Sequence, residues 1–166
     1  MARKNRLDPV KSTANAMIGI VTSHRDYMLA HFINKDLGIN LVNQEDLPVY
    51  LSKTNSLSNF PFFSYYHPDL RTDFCLIGNY NGTHYVFPAL KQLNYILLFQ
   101  GAAYQQHIND YIALIRKIQG IQAAIHVNQP GIRDLNGFLE DLELHKIEIQ
   151  KKQEEKAGLK PGINEK

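Results

Sequence analysis

The run Leu93-Asn94-Tyr95-Ile96-Leu97-Leu98-Phe99 constrains this chain more than any other stretch. It is nearly all apolar, with a turn before it and Gly101 after it. Periodicity alone fits either a strand buried on both faces or a buried helix segment. Its length and boundaries read as the central strand of a sheet. Just upstream, the apolar run Val86-Phe87 is broken by Pro88. Proline has no backbone N–H to give to a ladder, so Pro88 ends or edges a strand.

At 166 residues the chain is most simply one domain, with a hydrophobic fraction of 44% and a charged fraction of 20%. Both values are ordinary for a globular protein with a proper core. No apolar stretch is long enough to cross a bilayer as a helix. Met1 to Arg6 is basic, but Leu7 to Ala16 is too polar for the apolar segment of a signal peptide. The single cysteine, Cys75, excludes an internal disulfide and fits a reducing compartment, so the cytoplasm is expected. The net charge of +2 is unevenly placed: residues 1–11 carry +3, residues 146–166 carry +2 and residues 12–145 carry −3. The basicity belongs to the ends, which is the reverse of a folded surface built to grip phosphates.

Residues 1–16 read as a flexible basic arm, residues 17–150 as a single α+β domain, and residues 151–166 as a charged, disordered tail. Met17 to Val21 is a first strand. Ser23 with Asp26 three residues on is a capping-box-like helix start, and Leu29, Phe32, Ile33 and Leu37 form an apolar stripe. The first helix is therefore expected from about His24 to Leu37, closed by Gly38. Leu41-Val42 and Val49-Tyr50-Leu51 are short strands, and Lys53 to Asn59 a polar loop. Phe60 to Tyr66 holds a dense run of aromatics and reads as one strand. His67-Pro68-Asp69 is a turn, Phe74 to Tyr80 a strand, and Asn81-Gly82 a hairpin signal returning through His84 to Phe87. Asn81-Gly82-Thr83 has the glycosylation spelling but reads better as this turn.

Ile108, Tyr111, Ile112, Ile115 and Ile118 mark a second amphipathic helix from about Tyr104 to Gln119, ended by Gly120. Ile121, Ala123, Ile125 and Val127 alternate as a last strand. Leu135, Phe138, Leu139, Leu142 and Ile149 suggest a C-terminal helix. The order is β-α-β-meander-β-α-β: an α+β fold with a mostly antiparallel sheet and two amphipathic helices on one face. A ferredoxin-like relative with an inserted meander is one topology that satisfies it, and the strand order stays open.

The spacing around Pro88 resembles the signature of the IPExxxVDY family, small proteins of Bacteroidota. That signature reads Ile-Pro-Glu, three variable residues, then Val-Asp-Tyr. Phe87, Pro88 and Ala89, then Leu93, Asn94 and Tyr95 occupy its frame here. The likeness extends to Ile18-Gly19-Ile20, Asp26-Tyr27, Leu37 to Leu41 and Phe60 to Tyr66, so it spans roughly residues 17–127 of one domain. Pro88 and Tyr95 match, while both acidic positions are replaced, by Ala89 and Asn94. The resemblance implies a fold and a lineage but brings no activity with it. Were the acidic pair catalytic, Ala89 would offer no oxygen and Asn94 no ionisable group. A structural signature needs fewer assumptions: proline sets the turn, tyrosine packs, and polar side chains bond turn backbone.

Other chemical candidates fare no better. Ser23, His24 and Asp26 are too close along one helix start to form a relay, which is defined by geometry. His24 and His31 would stand about 10.5 Å apart by helix rise, too far to share a metal ion. Cys75 sits among apolar neighbours as a small core residue would. No phosphate-cradling glycine motif is present. Accordingly no catalytic residue, metal ligand or cofactor is assigned. The aromatic cluster Phe60, Phe62, Phe63, Tyr65 and Tyr66 is the best candidate interaction surface. Aromatics on a sheet can stack bases, but no Lys or Arg is interleaved here, so a core strand or a protein contact is favoured. The sequence thus reads as a non-catalytic protein-interaction module whose partner is another protein or a second copy in a homodimer. The alternatives are nucleic-acid binding through the basic ends, and an enzyme with a dispersed site.

Overall fold

A computed structural model of the chain describes residues 15–101, 104–129, 132 and 134–164. The strands are β1 (Asn15–Thr22), β2 (Val42–Asn43), β3 (Leu47–Leu51), β4 (Ser56–Phe60), β5 (Phe62–His67), β6 (Thr72–Gly78), β7 (Tyr95–Gly101) and β8 (Ile121–His126). The helices are α1 (Asp26–Leu37), α2 (Tyr104–Arg116) and α3 (Leu135–Asn164), with a 3-10 turn at Pro88–Leu90.

Six strands form one sheet in the order β2-β5-β6-β7-β1-β8, every neighbouring pair antiparallel. The apolar run does supply a central strand: β7 lies between β6 and β1. The neighbour order β8-β1-β7-β6, with α1 after β1 and α2 after β7, is the split βαβ arrangement of ferredoxin-like folds. Residues between α1 and β6 are the insertion. They add β5 and β2 to the sheet edge and a separate hairpin, β3–β4, paired from Leu47↔Phe60 to Leu51↔Ser56.

Successive residues of a strand point to opposite faces, so strands apolar at every position need cover on both sides. On one face Ile18, Ile20, Leu76, Leu97 and Phe99 pack against Leu29 and Ile33 of α1 and Ile112 and Ile115 of α2. On the other, Met17, Cys75, Ile77, Ile96 and Leu98 pack against Leu47, Val49 and Phe60 of the hairpin and Phe138 and Leu142 of α3. The two amphipathic helices therefore share a face, as their stripes require.

Several local readings change. β1 opens at Asn15 rather than Met17, because Asn15 and Ala16 extend the ladder opposite Gln100 and Phe99. Ala16 is buried, so the basic arm cannot include it; residues 1–14 lie outside the described ones. α1 starts at Asp26 with Arg25 at its cap position and no capping side chain, and Ser23 is exposed. The Thr22 hydroxyl oxygen accepts the His24 N–H at 3.1 Å, a bond in the approach to α1 rather than a cap on it. Gly38 does close α1, left-handed at φ 69°.

Pro61 splits the aromatic run between β4 and β5. Its carbonyl still accepts the Gly78 N–H in register with the β5–β6 ladder, but proline has no N–H to return, so the strand is interrupted there. The polar loop expected at Lys53–Asn59 is mostly strand β4, since its serines and Asn59 need no burial while Phe60 anchors the register on Leu47. The return from Asn81-Gly82 is one bridge, Tyr80↔Tyr85, rather than a strand, and β6 pairs with β7 instead. The charged tail expected to be disordered continues α3 as far as Asn164. Lys152 there reaches Glu45 at 3.0 Å, and Gln150 bonds Glu154 one turn on.

Gly101 pairs with Thr72 where β6 and β7 end. A Cβ at Gly101 would stand 2.5 Å from the Arg71 carbonyl oxygen and 2.7 Å from the Thr72 hydroxyl. Gly101→Ala should therefore cost about 1–3 kcal/mol by overpacking, measured by denaturant unfolding. Gly137→Ala, which meets no atom within 4 Å in α3, should instead be neutral or stabilising by up to about 1 kcal/mol.

Candidate functional site

The stretch with the family-like spacing lies in the connection between β6 and β7, and a buried asparagine holds it. Asn79 is inaccessible to solvent. Its side-chain Nδ2 donates to the carbonyls of Leu90 and Leu93, each at 3.0 Å. Its Oδ1 accepts the Phe87 N–H at 3.0 Å. Its own N–H donates to the Asn94 carbonyl, and its carbonyl accepts the Val86 N–H. Five backbone groups around the Pro88 turn thereby find partners in one residue. Phe87 and Leu93 are buried, while Pro88 and Ala89 are exposed at the turn.

Asn94 and Tyr95 sit at a second junction, where β1 passes into α1. The Asn94 Oδ1 accepts the Thr22 N–H at 2.8 Å, and the Asn94 N–H donates to the Ile20 carbonyl. The Tyr95 hydroxyl donates to the His24 carbonyl at 2.8 Å. Burial, with the Asp26 charge adding to it, pushes the Tyr95 phenol up to about 12. It stays protonated through the physiological range and serves as a donor. The Thr22 hydroxyl donates to the Gly120 carbonyl at 2.7 Å, and His24 Nε2 lies 2.7 Å from the Gln119 carbonyl. The polar groups of this junction thus tie β1, β7 and the turn before β8 together.

Ser23, His24 and Asp26 form no relay. The His24 ring faces Gln119 and packs on Phe32, and Asp26 Oδ1 accepts the Tyr27 N–H. His31 flanks Phe32 from its other neighbour position, with ring centroids 5.6 Å apart. Among the described residues no three His, Cys, Asp or Glu side chains converge as metal ligands.

Cys75 is buried among apolar side chains, and that burial pushes its thiol up to about 12, far from a reactive thiolate. Beside it Lys146 of α3 donates to Gln100 at 2.8 Å and Asp73 at 3.2 Å. Burial pulls the Lys146 ammonium down, but the carboxylates of Asp73 and Glu143 beside it hold it above its usual value. This is an anchoring ion pair that fixes α3 over β6 and β7.

The aromatic cluster does not form one surface. Phe60 and Phe62 are buried beneath the hairpin and α3, and Phe63 beneath the helix face. Tyr65 is half-buried against Phe74, and only Tyr66 is exposed, at 53%. The alternation of strand faces and the break at Pro61 send these rings in opposite directions.

Sequence reasoning passed over a different apolar surface. Tyr50 and Leu57 are a cross-strand pair on the outer face of the β3–β4 hairpin, 50% and 65% exposed. Asn81 Nδ2 donates to the Ser58 hydroxyl and the Asn59 carbonyl, which fastens the following loop to β4. That loop carries Tyr80 and Tyr85, whose tilted rings pack with centroids 4.6 Å apart. The signal available was Tyr50 in a strand; its partner Leu57 lay hidden in a stretch too polar to read as one. No family model, curated protein or solved structure matches this chain.

Asn79→Ala should cost about 3 kcal/mol, because the Leu93 carbonyl, the partly buried Leu90 carbonyl and the Phe87 N–H lose their partner together. Ala89→Glu, at an exposed turn, and Asn94→Asp, which keeps an acceptor for Thr22, should each stay within about 1 kcal/mol. Equilibrium unfolding of the three variants checks both halves of the expectation.

Proposed function

We propose that this protein is a non-catalytic interaction module that binds a protein partner through the outer face of the β3–β4 hairpin and the adjoining Tyr80–Tyr85 loop. The observation that carries the reading is the Tyr50–Leu57 pair, apolar and exposed on rigid strands. Large apolar side chains gathered on a fixed scaffold are characteristic of contact surfaces, and tyrosine supplies contact area at low entropic cost. Support also comes from the polar side chains of the junction and turn, which are committed to internal bonds. A cytoplasmic setting and a lineage shared with the IPExxxVDY family belong to the same proposal, on the lone cysteine and on Pro88 and Tyr95. Among the described residues no helix is long and apolar enough to cross a membrane.

A photo-crosslinking residue at Tyr50 in the cell should trap a discrete protein, and the same residue at exposed Gln122 on β8 should not. Leu57→Ser should abolish the Tyr50 crosslink while costing at most about 1 kcal/mol of stability, the worth of a cross-strand pair. Equal trapping at both positions would overturn the reading.

A further inference from the structure

α3 buries one ridge and leaves the opposite one open. Successive helical residues turn by about 100°, so Phe138, Leu142, His145 and Ile149 share the docking side. Phe138, Leu142 and His145 are buried, and Ile149 packs against the same core. Glu140, Leu144, Ile147 and Lys151 fall on the far side. All four are exposed, Leu144 at 61% and Ile147 at 50%. Two large aliphatic side chains in a helix with this much charge are out of place on a merely solvated face.

We propose that this ridge is the two-fold interface of a homodimer in which α3 packs antiparallel against α3 of a second copy. The arrangement of the ridge selects that occupant. An isologous contact requires each residue to meet its complement at equal distance from the two-fold axis. With the axis between His145 and Lys146, Leu144 meets Ile147 of the second copy, and Ile147 meets its Leu144. The same axis brings Glu140 opposite Lys151 of the second copy at both ends. One symmetric placement therefore closes an apolar centre with two ion pairs. Glu143, on the flank, is already held by Lys146 of its own chain at 3.4 Å.

This inference uses residues separate from the hairpin surface and does not rest on it. Sedimentation velocity on the full chain, over a micromolar concentration series, tests it. The wild type should form dimers reversibly. Glu140→Lys alone and Lys151→Glu alone each place like charges at both ends and should weaken the dimer at least about tenfold. An equimolar mixture of the two variants, in which every pair is again opposite, should restore it. Circular dichroism should show the same helix content and melting for all of them, and Leu57→Ser should remain dimeric. A wild type that stays monomeric, single variants that dimerise normally, or a mixture that fails to recover would each overturn the proposal.

Discussion

The path of the chain between the two central strands hangs on one buried side chain, the amide of Asn79. β6 and β7 are neighbours in the sheet, yet residues 79–94 run between them across a packed core. A connection of that length carries many backbone polar groups, and those out of reach of water must find partners. Asn79 bonds Phe87, Leu90 and Leu93 through its side chain and Val86 and Asn94 through its backbone. It joins the start of the connection to its end. With the loop fixed, Phe87 and Leu93 can serve the core beneath α3 and the hairpin. That layer is needed because β1, β6 and β7 are apolar on both faces.

The junction at Thr22, His24, Asn94 and Tyr95 follows from the same constraint. Asn94 ends the clamped loop and caps the Thr22 N–H. Tyr95 opens β7 and holds the carbonyl at the start of α1. The residues most suggestive of chemistry are consequently architectural. The surfaces we propose for contact lie instead where regular elements leave large apolar side chains exposed, at Tyr50 and Leu57 on the hairpin and at Leu144 and Ile147 on α3.

Elements with strong periodicity were legible in the sequence. The stripe ending at Leu37 and the one through Ile108, Ile112 and Ile115 gave both helices of one face, and Leu93 to Phe99 gave the central strand. The misses have local causes. β4 was hidden because an outer hairpin strand can be polar at Ser56, Ser58 and Asn59 and still pair. Ser23 with Asp26 spells a cap, but α1 begins only at Asp26 and its cap position, Arg25, makes no side-chain cap bond. The aromatic run was read as one surface, but a strand divides its side chains between two faces and Pro61 divides it again. In β8 the apolar alternation was real, yet Ile125 is exposed, because an edge strand needs cover on one side only. No one-dimensional pattern reveals Asn79: its role depends on carbonyls eleven and fourteen residues away.

The central claim is that the Pro88 stretch is an architectural clamp. Native-state hydrogen exchange of the Phe87 and Val86 amides, compared with those of Ile96 and Leu98 in β7, tests it most directly. A clamp integral to the core requires the loop amides to exchange only through global unfolding, with the same free energy as the central strand. Rapid exchange of Phe87 and Val86 while β7 stays protected would contradict the account and show a loop that opens on its own.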